Sequence, residues 1–212
     1  MSITPILSPC TNTFQKILWN YNSMVFLRGL DNRAERSLTI RYSRGINTRM
    51  SIPIEQAIGT TLRTRSLKLA TAESCTGGLV ADHITNVPGS SDYFLGGVIC
   101  YANEAKISLL HVSRKTLRLH GAVSRETVIE MARGVRAALG ADMGISVSGI
   151  AGPGGGLPDS PVGTTWIGLS APEGDWTRKF VWSGDRRSNK QSSTQAALQF
   201  VLDYLDNKLE NG

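Results

Sequence analysis

Two segments of this 212-residue sequence carry side chains better suited to chemistry than to packing. The first, Glu73-Ser74-Cys75-Thr76-Gly77-Gly78, sits where an apolar alternation ends and a helical spacing begins. At such a junction the unpaired N–H groups and the positive end of the helix dipole face any anion or carbonyl that glycines let approach. Ser74 there would be exposed beside donors able to hold a developing oxyanion. The same residues also describe a Ser/Thr helix cap, and a lone Ser-x-x-Gly is the ordinary sign of one. Neither a Walker loop nor a dinucleotide fingerprint stands at this junction. The second segment runs from Ser148 and Gly149 through Gly156 to Pro161-Val162-Gly163. Such a loop after a buried strand serves either close main-chain contact with a ligand or a plain surface turn.

A serine nucleophile needs a base. His83 lies on a helix face with Leu79 and Ile84, which partial burial explains, while His111 and His120 flank a polar stretch. None stands at metal-ligand or triad-typical spacing from another candidate. A desolvated lysine is the alternative, since burial lowers its proton affinity. Lys106 draws notice because Tyr101, Asn103 and Lys106 follow a strand end, although a solvated helix lysine fits the same spacing. Cys75 is a thiol beside Ser74, but neighbours at a helix start point different ways, and a buried small cysteine is the commoner outcome.

The elements that must position these groups can be read from periodicity. Ile54, Ala57, Ile58 and Leu62 predict a helix. Leu67, Leu69 and Thr71 predict a strand, and Leu79, Val80, His83, Ile84 and Val87 a helix stopped by Pro88-Gly89. A strand over Gly97–Tyr101 and a helix over Asn103–Leu110 follow. Ser124 caps a helix whose apolar side is Val128, Met131, Ala132, Val135, Ala138 and Leu139, with Gly140 as terminator. Further strands are expected over Met143–Ser148, Thr164–Leu169 and Arg178–Val181, then a helix marked by Ala197, Phe200, Val201, Tyr204 and Leu205. Strands alternating with helices indicate an α/β layered domain.

The net charge of +6 invites a nucleic-acid reading until the charges are located. Residues 1–49 hold seven basic and two acidic groups, leaving 50–212 with sixteen and fifteen. The basic balance therefore belongs to an N-terminal extension, and the remainder points away from nucleic acid. Met50-Ser-Ile-Pro-Ile-Glu reads as a fresh beginning, so residues 1–49 are taken as a poorly ordered extension or as sequence ahead of the true start. No stretch approaches the roughly 18 consecutive apolar residues of a membrane span. Cys10, Cys75 and Cys100 are odd in number, dispersed and free of CxxC pairing, which points to a reducing, cytoplasmic setting.

Taken together, Ala72 to Gly78, Pro88 to Ser91, Gly97 to Tyr101 with Asn103 to Lys106, Gly121 to Ser124, Ser148 to Pro153, Pro161 to Thr164 and Gly184-Asp185-Arg186 resemble the CinA C-terminal domain family. The likeness runs in order from about Ile54 to Leu205, within a domain expected over 50–212. The fold expected is a single three-layer α/β/α domain with a mixed sheet. The resemblance implies hydrolysis of the carboxamide of nicotinamide mononucleotide to nicotinate mononucleotide and ammonia, in pyridine-nucleotide salvage, with no metal or other cofactor. It implies a small-molecule nucleotide substrate, no membrane partner and a homo-oligomer.

Carried over by position, Ser74 matches the family's nucleophile, Lys106 the lysine that activates it and Tyr101 an assisting tyrosine. Thr76, Gly77, Gly78, Asn103, Ser148, Gly149 and Arg186 fall at substrate-binding positions, with the N–H groups around Thr76 to Gly78 expected to hold the oxyanion. Ser148 stands where many members have Thr. Lys190 stands where Arg is usual, keeping the charge but losing the bidentate fork. The competing reading is a non-catalytic nucleotide-binding or interaction module, which would not require Ser74, Tyr101 and Lys106 together.

Overall fold

The computed structural model describes residues 52–209, and the expected basic extension over 1–49 lies outside them. The elements in chain order are α1 (Ile54–Arg65), β1 (Leu69–Glu73), α2 (Leu79–Thr85), β2 (Phe94–Ile99), α3 (Asn103–Leu110) and α4 (Arg114–His120). After them come α5 (Arg125–Leu139), β3 (Met143–Gly149), β4 (Thr164–Ala171), β5 (Gly174–Val181) and α6 (Arg186–Leu205). The strands form one sheet in the order β2-β1-β3-β4-β5. Strands β2, β1 and β3 run parallel, while β3–β4 and β4–β5 pair antiparallel. The sheet is therefore mixed, and the domain is the expected three-layer α/β/α arrangement.

Strand β1 is buried along its whole length because both faces are covered. Its period of two sends Leu69 into a core shared with Ile58 and Leu62 of α1, Val80 and Ile84 of α2, and Leu198 and Val201 of α6. Ala70 and Ala72 enter a second core with Leu110 of α3 and Met131 and Val135 of α5. Thus α1, α2 and α6 cover one face, and α3 and α5 the other. The capping expected for α5 is present: Ser124 Oγ accepts from the Thr127 N–H, and Gly140 closes the helix at φ 63°.

Some boundaries differ from the sequence reading, each for a physical reason. The strand expected over Gly97–Tyr101 is β2, which starts three residues earlier and ends two residues earlier; as an edge strand it alternates in exposure along its length. Helix α4 escaped notice because it buries no residue and so carries no apolar stripe. Helix α6 begins at Arg186, well before its apolar positions, because Asn189, Ser193 and Thr194 face inward there. Ala138, expected on the buried side of α5, is exposed.

Helices α3 and α5 approach so closely at Gly134 that a Cβ there would overlap the Leu110 carbonyl oxygen. Alanine is the better helix former by about 1 kcal/mol. Overpacking against backbone costs about 1–3 kcal/mol, and here the atom struck cannot rotate away. Gly134→Ala is therefore expected to lower stability despite its propensity gain, and denaturant unfolding should show a lower midpoint with an unchanged m value.

Candidate active site

The C-terminal ends of the three parallel strands lie at one edge of the sheet, where layered α/β folds bind ligands. The chain leaves β1 into the Ser74–Gly78 turn, β2 into Cys100-Tyr101 and α3, and β3 into the glycine-rich loop. Ser74 is held at the strand end by its N–H bond to the Val147 carbonyl, 2.9 Å. Lys106 lies one helical turn before Leu110 on the buried stripe of α3, which carries its side chain inward. Its Nζ stands 3.0 Å from Ser74 Oγ, 2.7 Å from the Cys100 carbonyl oxygen and 3.4 Å from that of Tyr101.

Lys106 is 1% exposed and Ser74 8%. Burial lowers the proton affinity of Lys106 below the ordinary lysine value of 10.5. The cavity they share, about 200 Å³, is also lined by Cys75, Tyr101, Ala122 and Ser148, and among the described residues no histidine or carboxylate lines it. Burial pushes the Cys75 thiol up to about 11, so at neutral pH it is an unreactive neighbour. His111 and His120 are exposed and His83 half-buried, all outside this cavity.

The Tyr101 phenol oxygen accepts from Arg186 Nη2 at 2.8 Å, and Arg186 Nη1 donates to the Gly152 carbonyl at 2.7 Å. Arg186 thereby joins the small cavity to a larger cleft of about 690 Å³, lined by Leu79, Pro153, Arg186, Arg187 and Lys190 among others. Lys190 sits over the nucleophile turn: a Cβ on Gly77 would lie 3.6 Å from its Nζ. The cleft gathers three cations against one carboxylate, Asp185, which is engaged as the N-cap of α6. Beside it lies a cavity holding a serine and a lysine, an arrangement suited to an anionic molecule with a reactive neutral end.

Residues 51–205 match the CinA C-terminal domain. The chain belongs to that family. The CinA-like protein of Chloroherpeton thalassium is 48% identical over 159 residues, covering 73% of this chain and 38% of that protein. The chain spans less than half the length of the curated relatives it first matches. Among solved structures, competence damage-inducible protein A of Klebsiella pneumoniae superposes with a TM-score of 0.70 at 34% identity, covering 72% of this chain and 95% of that one. The competence/damage inducible protein of Agrobacterium tumefaciens gives a TM-score of 0.69 at 35% identity, over 72% and 95% of the two chains.

Within this CinA domain the ten residues singled out from sequence are distributed unevenly. Ser74, Tyr101, Lys106, Ser148 and Gly149 line the small cavity, and Arg186 the adjoining cleft. Ser148 Oγ donates to the Ala122 carbonyl at 2.7 Å. Gly149 has no room for a side chain, since a Cβ would lie 2.7 Å from both the Thr164 carbonyl oxygen and Thr165 Oγ1. Asn103 is exposed on the first turn of α3 and does not line the cavity. The Thr76 hydroxyl is buried and has no hydrogen-bond partner among the described residues. The Gly78 N–H, expected among the oxyanion donors, is bonded to Glu73 Oε2 at 2.9 Å.

Two residues that shape the site carried no role in the sequence reading. One is Glu73 itself, whose signal was a charge closing a strand of buried residues; a buried charge requires partners. The other is Asn189, which is buried on α6. Its Nδ2 donates to the Ala151 carbonyl at 3.0 Å, and its Oδ1 accepts from the Gly184 N–H at 3.0 Å. It ties together the two loops that bring Gly152 and Arg186 into contact. Among the described residues no helix is long and apolar enough to cross a membrane.

Proposed function

We propose that this chain is a Ser-Lys amidohydrolase that converts nicotinamide mononucleotide and water to nicotinate mononucleotide and ammonia, a step of cytoplasmic pyridine-nucleotide salvage. The observation that carries the reading is the 3.0 Å approach of Lys106 Nζ to Ser74 Oγ inside a buried cavity without a carboxylate. A neutral lysine has two N–H donors and one lone pair. With the donors on the Cys100 and Tyr101 carbonyls, the lone pair is left for the Ser74 hydroxyl, which donates to it.

Ser74 Oγ attacks the carboxamide carbon as its proton passes to Lys106 Nζ. The oxyanion falls to N–H groups of the Cys75–Gly77 turn, because the Gly78 N–H is already engaged. Collapse breaks the C–N bond, and Lys106 returns its proton to the leaving nitrogen, assisted by the Tyr101 phenol that Arg186 holds. Water then adds to the acyl-enzyme, again giving its proton to Lys106, and Ser74 leaves as the hydroxyl. The nucleotide phosphate occupies the cleft at Arg186, Arg187 and Lys190.

The test is ammonia release from nicotinamide mononucleotide by the full chain, with one nicotinate mononucleotide formed per ammonia. Absence of both products overturns the reading. Arg186→Lys is expected to raise KM about tenfold, since one ammonium cannot serve Tyr101, Gly152 and a phosphate as a guanidinium fork does. Steady-state kinetics with the mononucleotide checks this.

A further inference from the structure

We infer that Glu73 is a positioning residue whose buried carboxylate clamps the first turn of α2 and so fixes the Ser74 turn against Lys106. Glu73 is 1% exposed, and no ion pair to it occurs among the described residues. Its oxygens instead accept three backbone N–H bonds: Oε2 from Gly78 at 2.9 Å and Val80 at 3.1 Å, and Oε1 from Ala81 at 2.9 Å. N–H groups at the start of a helix have no intrahelical partner, and a seven-residue helix is too short to hold its own first turn. The carboxylate supplies what the helix lacks.

The geometry closes a small ring. The chain leaves Glu73 through Ser74 and returns at Gly78 to the side chain of the same residue. The Glu73 carbonyl accepts from the Cys100 N–H at 2.9 Å, which anchors the ring to the strand end that precedes α3. Ser74 is therefore fixed by a residue that touches neither Lys106 nor the cavity. The same carboxylate offsets the positive end of α2, so the anionic part of a substrate is left to the cations of α6. Removing it should impair the reaction of Ser74 and spare the affinity for an anion.

This inference rests on Ser74 being the nucleophile, and the test separates the two. A fluorophosphonate forms a bond from Ser74 Oγ to phosphorus with loss of fluoride, while Lys106 takes the serine proton. The full wild-type chain and Glu73→Gln are labelled over a range of probe concentrations, with melting followed in parallel. Glutamine keeps the shape and one acceptor oxygen, but its NH₂ opposes one of the three N–H groups. The maximal labelling rate is expected to fall about tenfold, because displacements well under 1 Å at a reacting atom carry penalties of that order. The half-saturating probe concentration should hold within about twofold, since probe affinity does not depend on the clamp.

Equal maximal rates, or a loss confined to the melting temperature, overturn the inference and leave Ser74 as the nucleophile. A wild-type chain that does not label overturns both. If Glu73→Gln does not fold, amide exchange in the wild type decides. The Gly78, Val80 and Ala81 N–H groups should exchange slowly, and exchange as fast as free first-turn amides overturns the clamp.

Discussion

Lys106→Met is expected to leave a folded protein whose kcat for ammonia release is lower by about a thousandfold, the scale of a lost general base. Methionine keeps length and apolar bulk in a position that is almost fully buried, so packing changes little. On the proposed mechanism, what disappears is the lone pair opposite Ser74 and the proton carried to the leaving nitrogen. In the wild type the rate should fall as pH drops through the lowered proton affinity of Lys106, because the ammonium form has no lone pair to offer. A pH–rate profile of the wild type reads this acid limb directly.

The same burial has a second consequence with a definite sign. Between its lowered native value and the ordinary 10.5, Lys106 holds its proton more readily unfolded than folded. The native state is therefore penalised fully below the lowered value, progressively less as pH rises, and not at all above 10.5. Lys106→Met removes that penalty. Its stability relative to the wild type should decline as pH climbs toward 10.5, and a series of melts across pH measures the slope. A pH-independent difference would mean that Lys106 titrates alike in both states.

On the proposed mechanism, Ser74→Ala is expected to reduce turnover by about 10⁴-fold or more, since removing a nucleophile leaves only binding and oxyanion stabilisation. Stability should change by less than about 1 kcal/mol, because among the described residues the side-chain bond lost is the one to Lys106, which keeps its two carbonyl partners. Cys75 cannot rescue the reaction, as its thiol is held protonated at neutral pH. Burst measurements with the mononucleotide should show no acyl-enzyme in this variant. Retained turnover would remove Ser74 from the mechanism.

Much of this architecture was legible from residue types and spacing. The Ser124-to-Gly140 helix could be read because a cap, a terminator and an apolar stripe mark both ends and the inner face. Helix α3, over Asn103–Leu110, has no side-chain cap and was legible only from its place after a strand end. The juxtaposition of Ser74 and Lys106 was not legible from spacing, since 32 residues and a strand pairing separate them. One local signal existed: Lys106 shares the inward stripe of α3 with Leu110, where a solvated lysine does not belong. Asn103 was included through its neighbours, but the first turn of α3 turns it to solvent. The engagement of the Gly78 N–H was not legible, because a sequence lists N–H groups without showing that Glu73, five residues earlier, accepts from one. Asn189 and the polar start of α6 were hidden because their inward face is built from hydrogen bonds, to which a hydrophobic period is blind.

The sheet divides the interior into two cores, and the candidate catalytic pair straddles that division. Ser74 rides on the turn into α2, which belongs to the α1/α6 layer, whereas Lys106 rides on α3, which belongs to the α5 layer. Their 3.0 Å approach therefore depends on the sheet that holds the two layers in register. The tight α3–α5 crossing at Gly134 lies within the layer that carries Lys106, so a change there displaces one member of the pair relative to the other.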